Sequence, residues 1–256
     1  MIGVVFALAE TLGKDDGLYV AALEQLIGEL AEERSISQNG RALADLVDRI
    51  GPTLERSRSG LSDVAALLRP GVMSLRTLEA RLRVAAVGLV PRRFRSFDDV
   101  GPMLAELREL GVPQATLTEG WSGVDHAKAA QAGFRGVVIP AEEIRDGDPR
   151  SLAAFANVAS TLRLPADCLW FIGAEPRRDI APARAAGFHT VWLNRTGSTY
   201  PGHVAQPDHT IRNLGEFLGI ISEAYMKSAL TLREILSATL GFRLGHVIPT
   251  NPLRDE

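Results

Sequence analysis

Residues 168–193, CLWFIGAEPRRDIAPARAAGFHTVWL, decide the fold. The continuous apolar run Cys168–Ile172 (CLWFI) has the length and composition of a strand buried on both faces. A helical period over Ile180–Ala186 follows and stops at Gly187, and a second apolar run, His189–Leu193 (HTVWL), comes next. Strand, helix, glycine stop and strand make one βαβ unit, with parallel strands and a right-handed crossover. The unit recurs toward the N-terminus. Val112–Leu117 follows a helix, Met103–Leu110, that ends at Gly111, and Gly136–Ile139 (GVVI) follows a helix, Asp125–Ala132, that ends at Gly133. Cys168–Ile172 itself follows a helix within Leu152–Leu162, and Ile2–Leu8 (IGVVFAL) opens the series. Strands alternating with helices in this way predict an α/β fold, a doubly wound, Rossmann-like parallel sheet with helices on both faces.

Between about Lys14 and Arg95 the pattern changes. Leu18–Leu30, Gly40–Ile50, Leu61–Leu68 and Leu75–Val84 carry helical periodicity, and the first strand-like segment after them is Val84–Val90. This predicts a helical insert after the first strand. Its exit, with Gly88, Pro91 and a basic run, suits a hinge or linker. The expected organisation is an α/β core over 1–13 and 96–226, a helical insert over 14–95, and a C-terminal helix and tail over 227–256.

The composition narrows the function classes. At 46% hydrophobic and 23% charged residues, a 256-residue chain can bury a full core and is not bulk-disordered. The balance of 28 Lys and Arg against 31 Asp and Glu argues against a general nucleic-acid binder. Cys168, the sole cysteine, can form neither an internal disulfide nor a cysteine-based zinc site. No apolar run approaches the roughly 20 residues that span a bilayer. Met1–Leu12 has no basic segment ahead of its apolar stretch, so a cytoplasmic location is expected and no membrane partner.

In doubly wound sheets ligands bind at the carboxyl ends of the strands, so the residues just after each strand are the candidates. They include Ala7, Ala9, Glu10 and Thr11 after the first strand, Thr118 and Glu119 after the second, and Ala174, Glu175 and Asp179 after the fourth. Here VVFALAETL (Val4–Leu12) resembles the opening of the haloacid dehalogenase superfamily of phosphatases and dehalogenases, an apolar strand ending in Asp-x-Asp-x-Thr. LWFIGAEPRRDIAPARAAGFHTVWLNRTG (Leu169–Gly197) is similar to that family's metal-binding stretch, Gly-Asp-Ser-x-x-x-Asp-Ile. Pro207–Ile211 with Leu214, Phe217 and Leu218 is similar to its last strand and helix. The helical insert resembles the cap of the branch containing haloacid dehalogenase and phosphoglycolate phosphatase.

The resemblance implies a nucleophilic Asp, an acid/base Asp, a Lys and a Mg²⁺ site, and this sequence departs from it at each. The nucleophile position is Ala7, the acid/base position Ala9 and one metal-ligand position Ala174, which leaves Asp179 as the only matched ligand. A methyl group cannot attack phosphorus, move a proton or bind Mg²⁺. The turn where the Lys belongs reads Arg145-Asp146-Gly147-Asp148-Pro149. Thr118 keeps a phosphate-binding hydroxyl, and Thr11 survives beside the altered nucleophile position. Three alanines with a missing Lys fit natural decay better than a single engineered substitution.

The expectation is therefore a catalytically inactive member of this fold, acting by ligand or protein binding in a regulatory or structural role. It needs no cofactor, and Mg²⁺ enters only if the site has been rebuilt. The alternative is a hydrolase rebuilt around Glu10, Glu119, Glu175 and Asp179, whose carboxylates either gather a shifted cation or an amine or simply face water. The candidate ligand-binding residues are Thr11, Thr118, Glu10, Glu119, Glu175 and Arg145. Arg76, Arg81, Arg83, Arg92, Arg93 and Arg95 form a basic run that suits either an anionic ligand or acidic protein or a solvated face. Lys128 and His126 are candidates to stand in for the Lys, and Trp121 either stacks a ligand or lids the core. The apolar stripe on 227–240 either packs on its own core or serves a homodimer or protein partner.

Overall fold

A computed structural model describes residues 1–32, 45, 47, 74–140, 144, 148 and 150–224. The segments expected as helices over 40–50 (apart from Asp45 and Val47, both helical), 61–68 and 227–240 lie outside these residues, as does Arg145. The chain divides into two compact units, Met1–Gly215 and Glu216–Glu256, and residues 216–224 of the second are helical.

The first unit holds a six-stranded parallel sheet. Its strands are β1 (Gly3–Ala7), β4 (Gln114–Thr118), β5 (Val137–Pro140), β6 (Leu169–Gly173), β7 (His189–Leu193) and β8 (His209–Ile211). The order is β5-β4-β1-β6-β7-β8, which puts β1 at the centre with β4 and β6 on either side. Ala7 pairs with Leu117 of β4, and Phe6 with Ile172 of β6. β1 is buried along its whole length, which accounts for its unbroken apolar sequence. Val5, Ala7, Ala115, Leu117, Leu169 and Phe171 alternate onto one face of the sheet and share one apolar cluster. That cluster is closed by Phe155 of α5 (Leu152–Leu162), edge-on to Phe171 at 5.3 Å and to Phe188 at 5.2 Å. The glycine stops hold, for Gly133 and Gly187 sit at φ 76° and 84°, left-handed conformations that end a helix at little cost without a Cβ.

The remaining helices are α1 (Leu18–Glu32), α2 (Leu75–Arg93), α3 (Val100–Glu109), α4 (Ser122–Gln131) and α6 (Ala181–Ala185). The sequence from β1 into α1, and from α2 into α3, passes through an antiparallel ribbon of β2 (Gly13–Asp15) and β3 (Phe94–Ser96), with Gly13 opposite Ser96. Beyond the ribbon α2 packs on α1 and on α4.

One expectation fails here. Val84–Val90, read as strand-like, is helical, and α2 runs without a break from Leu75 through Pro91 to Arg93. The reason is the spacing Leu78, Leu82, Ala85, Ala86 and Val90, which buries one face at a helical period while Val84 and Val87 face outward. Tertiary burial of that face outweighs the strand preference of the valines. Gly88 and Pro91 are thus helical positions, not a hinge loop. Among the described residues no helix is long and apolar enough to cross a membrane.

Candidate functional site

The parallel strands deliver their carboxyl ends to one edge, where the first unit opens a cavity of about 650 Å³. Ala7, Ala9, Glu10, Thr118, Glu119, Ala174, Glu175 and Asp179 all line it. Of the candidates just after the strands, Thr11 is missing from the walls; it is fully buried and its Oγ1 has no hydrogen-bond partner. Glu10 is exposed at φ 57°, held there by a tight turn in which its N–H donates to Gly13 O at 2.8 Å. Thr118 is buried, with its hydroxyl beside the Asp125 carboxyl. Ala174 carries no side-chain function, but its carbonyl accepts from Trp192 Nε1 at 2.9 Å and anchors the loop after β6.

That loop continues as a π-helical turn over Pro176–Ile180. Such widened turns tend to sit at functional sites. This one carries Asp179 back over the end of β6, where both carboxylate oxygens are occupied. Oδ2 accepts from Glu175 N–H at 3.0 Å. Oδ1 accepts from Arg150 Nη2 at 2.8 Å and Nε at 3.1 Å. Arg150 Nη1 donates to Leu117 O at 3.3 Å, at the end of β4. Glu119 joins the same group, 3.5 Å from Arg150 Nη2 and paired to Arg178. Two of the four carboxylates expected to gather a cation or amine are therefore already neutralised by arginines. Arg150 was not among the sequence candidates, because the resemblance places the positive charge before the Asp148-Pro149 turn and not after it. A signal was available. Arg150 immediately precedes Ser151, whose Oγ caps α5, and a cation at a helix N-terminus opposes the helix dipole unless a carboxylate holds it.

A second polar group lines the side of the cavity formed by α4. Lys128 Nζ lies 2.5 Å from Asp15 Oδ2 of β2 and 5.0 Å from the Tyr19 ring centroid. Asp125, one turn before Lys128, is almost fully buried, and this burial pushes its carboxyl up to about 6 against the pull of Lys128. Tyr19 and Trp121 meet edge to face at 5.4 Å. Asp15 Oδ1 and Trp121 Nε1 are buried without hydrogen-bond partners. Lys128 is thus at the cleft, whereas His126, with its Nδ1 on Ser122 O, is not among the lining residues. The basic run meets the cleft wall at Arg83, whose guanidinium carbon lies 5.4 Å from the Trp121 ring centroid. Arg81 pairs with Glu29 at 2.9 Å, Arg83 with Glu79 at 2.7 Å, and Arg76, Arg92 and Arg95 are exposed.

A family model described as HAD-hydrolase-like matches residues 146–217, the stretch that supplies Arg150, Asp179 and β6 to β8. Among curated proteins, the (S)-2-haloacid dehalogenase 2 of Pseudomonas sp. (strain CBS-3) is 29% identical over 133 residues, 51% of this chain and 57% of that protein. The phosphoserine phosphatase of Thermus thermophilus is 29% identical over 134 residues, 49% of this chain and 51% of that protein. These matches support membership of the haloacid dehalogenase (HAD)-like superfamily. It spans about half the length of these curated relatives. Solved structures carry the same fold across nearly the whole of their chains. A 2-haloacid dehalogenase from Pseudomonas syringae pv. Tomato DC3000 superposes with TM-score 0.65 at 19% identity, covering 87% of this chain and 99% of that one. A HAD phosphatase from Thermococcus onnurineus gives TM-score 0.61 at 19% identity, covering 86% and 98%.

The HAD-like fold implies a Mg²⁺ ion, and the donor set here does not fit one. Mg²⁺ needs near-octahedral oxygen ligands, including one or two carboxylates. Ala7 and Ala174 offer methyls, and both oxygens of Asp179 are bound to N–H groups. Among the described residues no group of three or more His, Cys, Asp or Glu is placed to hold a metal ion.

Proposed function

We propose that this HAD-like chain does not run the family's aspartyl-phosphate or aspartyl-ester reaction and acts instead by binding a ligand or protein at the cleft, in a regulatory or structural role. The observation that carries the proposal is Ala7. The side chain at the tip of the central strand, in the cleft wall, is a methyl packed with Leu117 and Phe171. Nucleophile, proton shuttle and cation are each worth roughly a hundredfold or more in rate, and their loss together removes the reaction. Retained binding is supported by the second polar group. The buried, partnerless Asp15 Oδ1 and Trp121 Nε1 beside the Tyr19–Trp121 pair are what a cleft shaped for a partly polar ligand would keep. A hydrolase rebuilt on Glu10, Glu119, Glu175 and Asp179 is the weaker reading, because Arg150 and Arg178 already neutralise Asp179 and Glu119.

The test is turnover of p-nitrophenyl phosphate and of a 2-haloacid by the purified chain with Mg²⁺. No rate above the buffer blank is expected. Turnover that disappears in Glu10→Gln or Glu175→Gln would overturn the proposal in favour of the rebuilt site.

A further inference from the structure

We propose that this cleft recognises a neutral, hydroxyl-rich organic molecule, a polyol or sugar without a phosphate or carboxylate group, through Asp15 and Trp121. The inference rests on the reading above that the cleft binds its ligand without turning it over, and deepens it by naming the ligand's chemical class.

Two buried atoms on the α4 side of the cleft set the class. Trp121 is 4% exposed and its Nε1 is a donor without a partner, while Asp15 Oδ1 is an acceptor without one. Both residues line the cavity. Unpaired buried groups of opposite sense in one cleft call for a ligand that supplies both halves. An ammonium cannot accept from the indole N–H, and it would meet Lys128, whose Nζ lies 2.5 Å from Asp15 Oδ2. A fully ionised phosphate or a carboxylate cannot donate to Asp15. A hydroxyl does both. The indole is also fixed in direction. The Arg83 guanidinium carbon lies 5.4 Å from its ring centroid, and the Tyr19 ring stands at 80° to it, so the donor is set before a ligand arrives.

The charge around the cavity agrees. Six carboxylates line it against four cations. Each of those cations already holds a carboxylate: Lys128 on Asp15, Arg150 on Asp179, Arg178 on Glu119 and Arg195 on Asp99. The Thr118 hydroxyl, which the resemblance assigns to phosphate, is turned to the Asp125 carboxyl. A phosphate entering this cleft meets an excess of its own sign. A neutral ligand does not, and the exposed carboxylates of Glu10 and Glu175 on the same walls can accept from its further hydroxyls. The cavity, about 650 Å³, lies in the range of small-molecule sites.

The experiment is saturation-transfer NMR on the full chain at neutral pH, with glycerol set against glycerol 3-phosphate and glucose against glucose 6-phosphate. Each pair differs only in the phosphate. At least one alcohol should bind roughly tenfold or more tightly than its ester. Trp121→Phe keeps an aromatic ring and removes the N–H, so it should weaken the alcohol roughly fivefold to tenfold. Far-UV circular dichroism checks that this variant folds. If it does not, Asp15→Asn carries the comparison. Asn keeps the shape of Asp15 but turns its one oxygen to Lys128 and leaves a donor where the ligand needs an acceptor, so the preference for alcohol over ester should fall. Equal or tighter binding of the esters overturns the inference, and so does a failure of both alcohols to bind. An alcohol affinity unchanged in the variants also overturns it, and would leave water as the partner of these two atoms. Inorganic phosphate released from an ester, followed by phosphorus-31 NMR, would instead overturn the reading of the preceding section, and the ratio of alcohol to ester affinity would still decide the ligand class.

Discussion

A Cβ built on Gly173 would lie 2.4 Å from Asp179 Cβ and 2.6 Å from Asp179 Oδ2. Gly173 has no positive φ to protect, so what fixes glycine there is space. The last residue of β6 must let the returning π-helical turn lay Asp179 directly on it. Gly173→Ala should push Asp179 off Arg150 and separate a nearly buried ion pair, destabilising the first unit by about 2–4 kcal/mol. Urea denaturation followed by far-UV circular dichroism measures this. A loss below about 0.5 kcal/mol, typical of an ordinary surface change, would show that Asp179 is not held by this contact.

The Asp125 carboxyl predicts an unusual pH response. Burial raises it from an ordinary 3.8 to about 6, with Lys128 pulling the other way. Between those two values the folded chain binds a proton that the unfolded chain has lost, so stability falls as pH rises from about 4 to about 6 and then levels off. The full effect is on the order of 2–3 kcal/mol. Asp125→Asn removes this titration. The melting temperature of the unaltered chain minus that of the Asn variant should therefore drop steadily between pH 4 and pH 6.5. A difference that is flat over that range would place Asp125 in contact with water.

Asp99 predicts the opposite slope. Burial alone would raise its pKa, but the forked bond from Arg195, at 2.8 and 2.9 Å, and the Leu214 N–H at 2.7 Å outweigh burial and hold it below the ordinary 3.8. A lowered carboxylate contributes stability above its unfolded pKa and loses it as pH falls through the folded value. Asp99→Asn should therefore cost stability at pH 7 and progressively less as the pH is lowered below 3.8, read as converging thermal melts. Parallel melts at both pH values would exclude the ion pair as the source.

Much of this was legible in the chain because it is local. Ile2–Leu8, His189–Leu193 and the glycine stops announce strands and helix ends through composition and spacing alone, and the parallel sheet follows. Val84–Val90 misled because strand-like residues sat on a helix whose identity is set by what it packs against. The alanines at positions 7, 9 and 174 could be read directly from the chain. The charged pairs around them could not. Arg150 reaches Asp179 29 residues away, and Lys128 reaches Asp15 113 residues away, pairings that only the folded topology creates. The nearest sequence signal was on α4, where Asp125 and Lys128 share a face with the buried Val124 and Ala129. An acid and a base on the apolar side of a short helix ask for partners.

Lys128 supplies the last prediction. It sits between Asp15, at 2.5 Å, and Asp125 one turn before it on the same helix, and its side chain is 6% exposed. Replacing it with Met keeps the length but leaves two carboxylates facing one another without a cation. Removing one member of a buried charged group costs roughly 3–5 kcal/mol, so Lys128→Met should be severely destabilised at pH 7. The loss should shrink toward pH 5, where Asp125 can stay protonated. Because the damage comes from the stranded charges, adding Asp15→Asn and Asp125→Asn to Lys128→Met should recover a large part of it. A double-mutant cycle in urea isolates that coupling, and simple additivity of the separate losses would show that Lys128 is held by packing against Tyr19 and not by its charge.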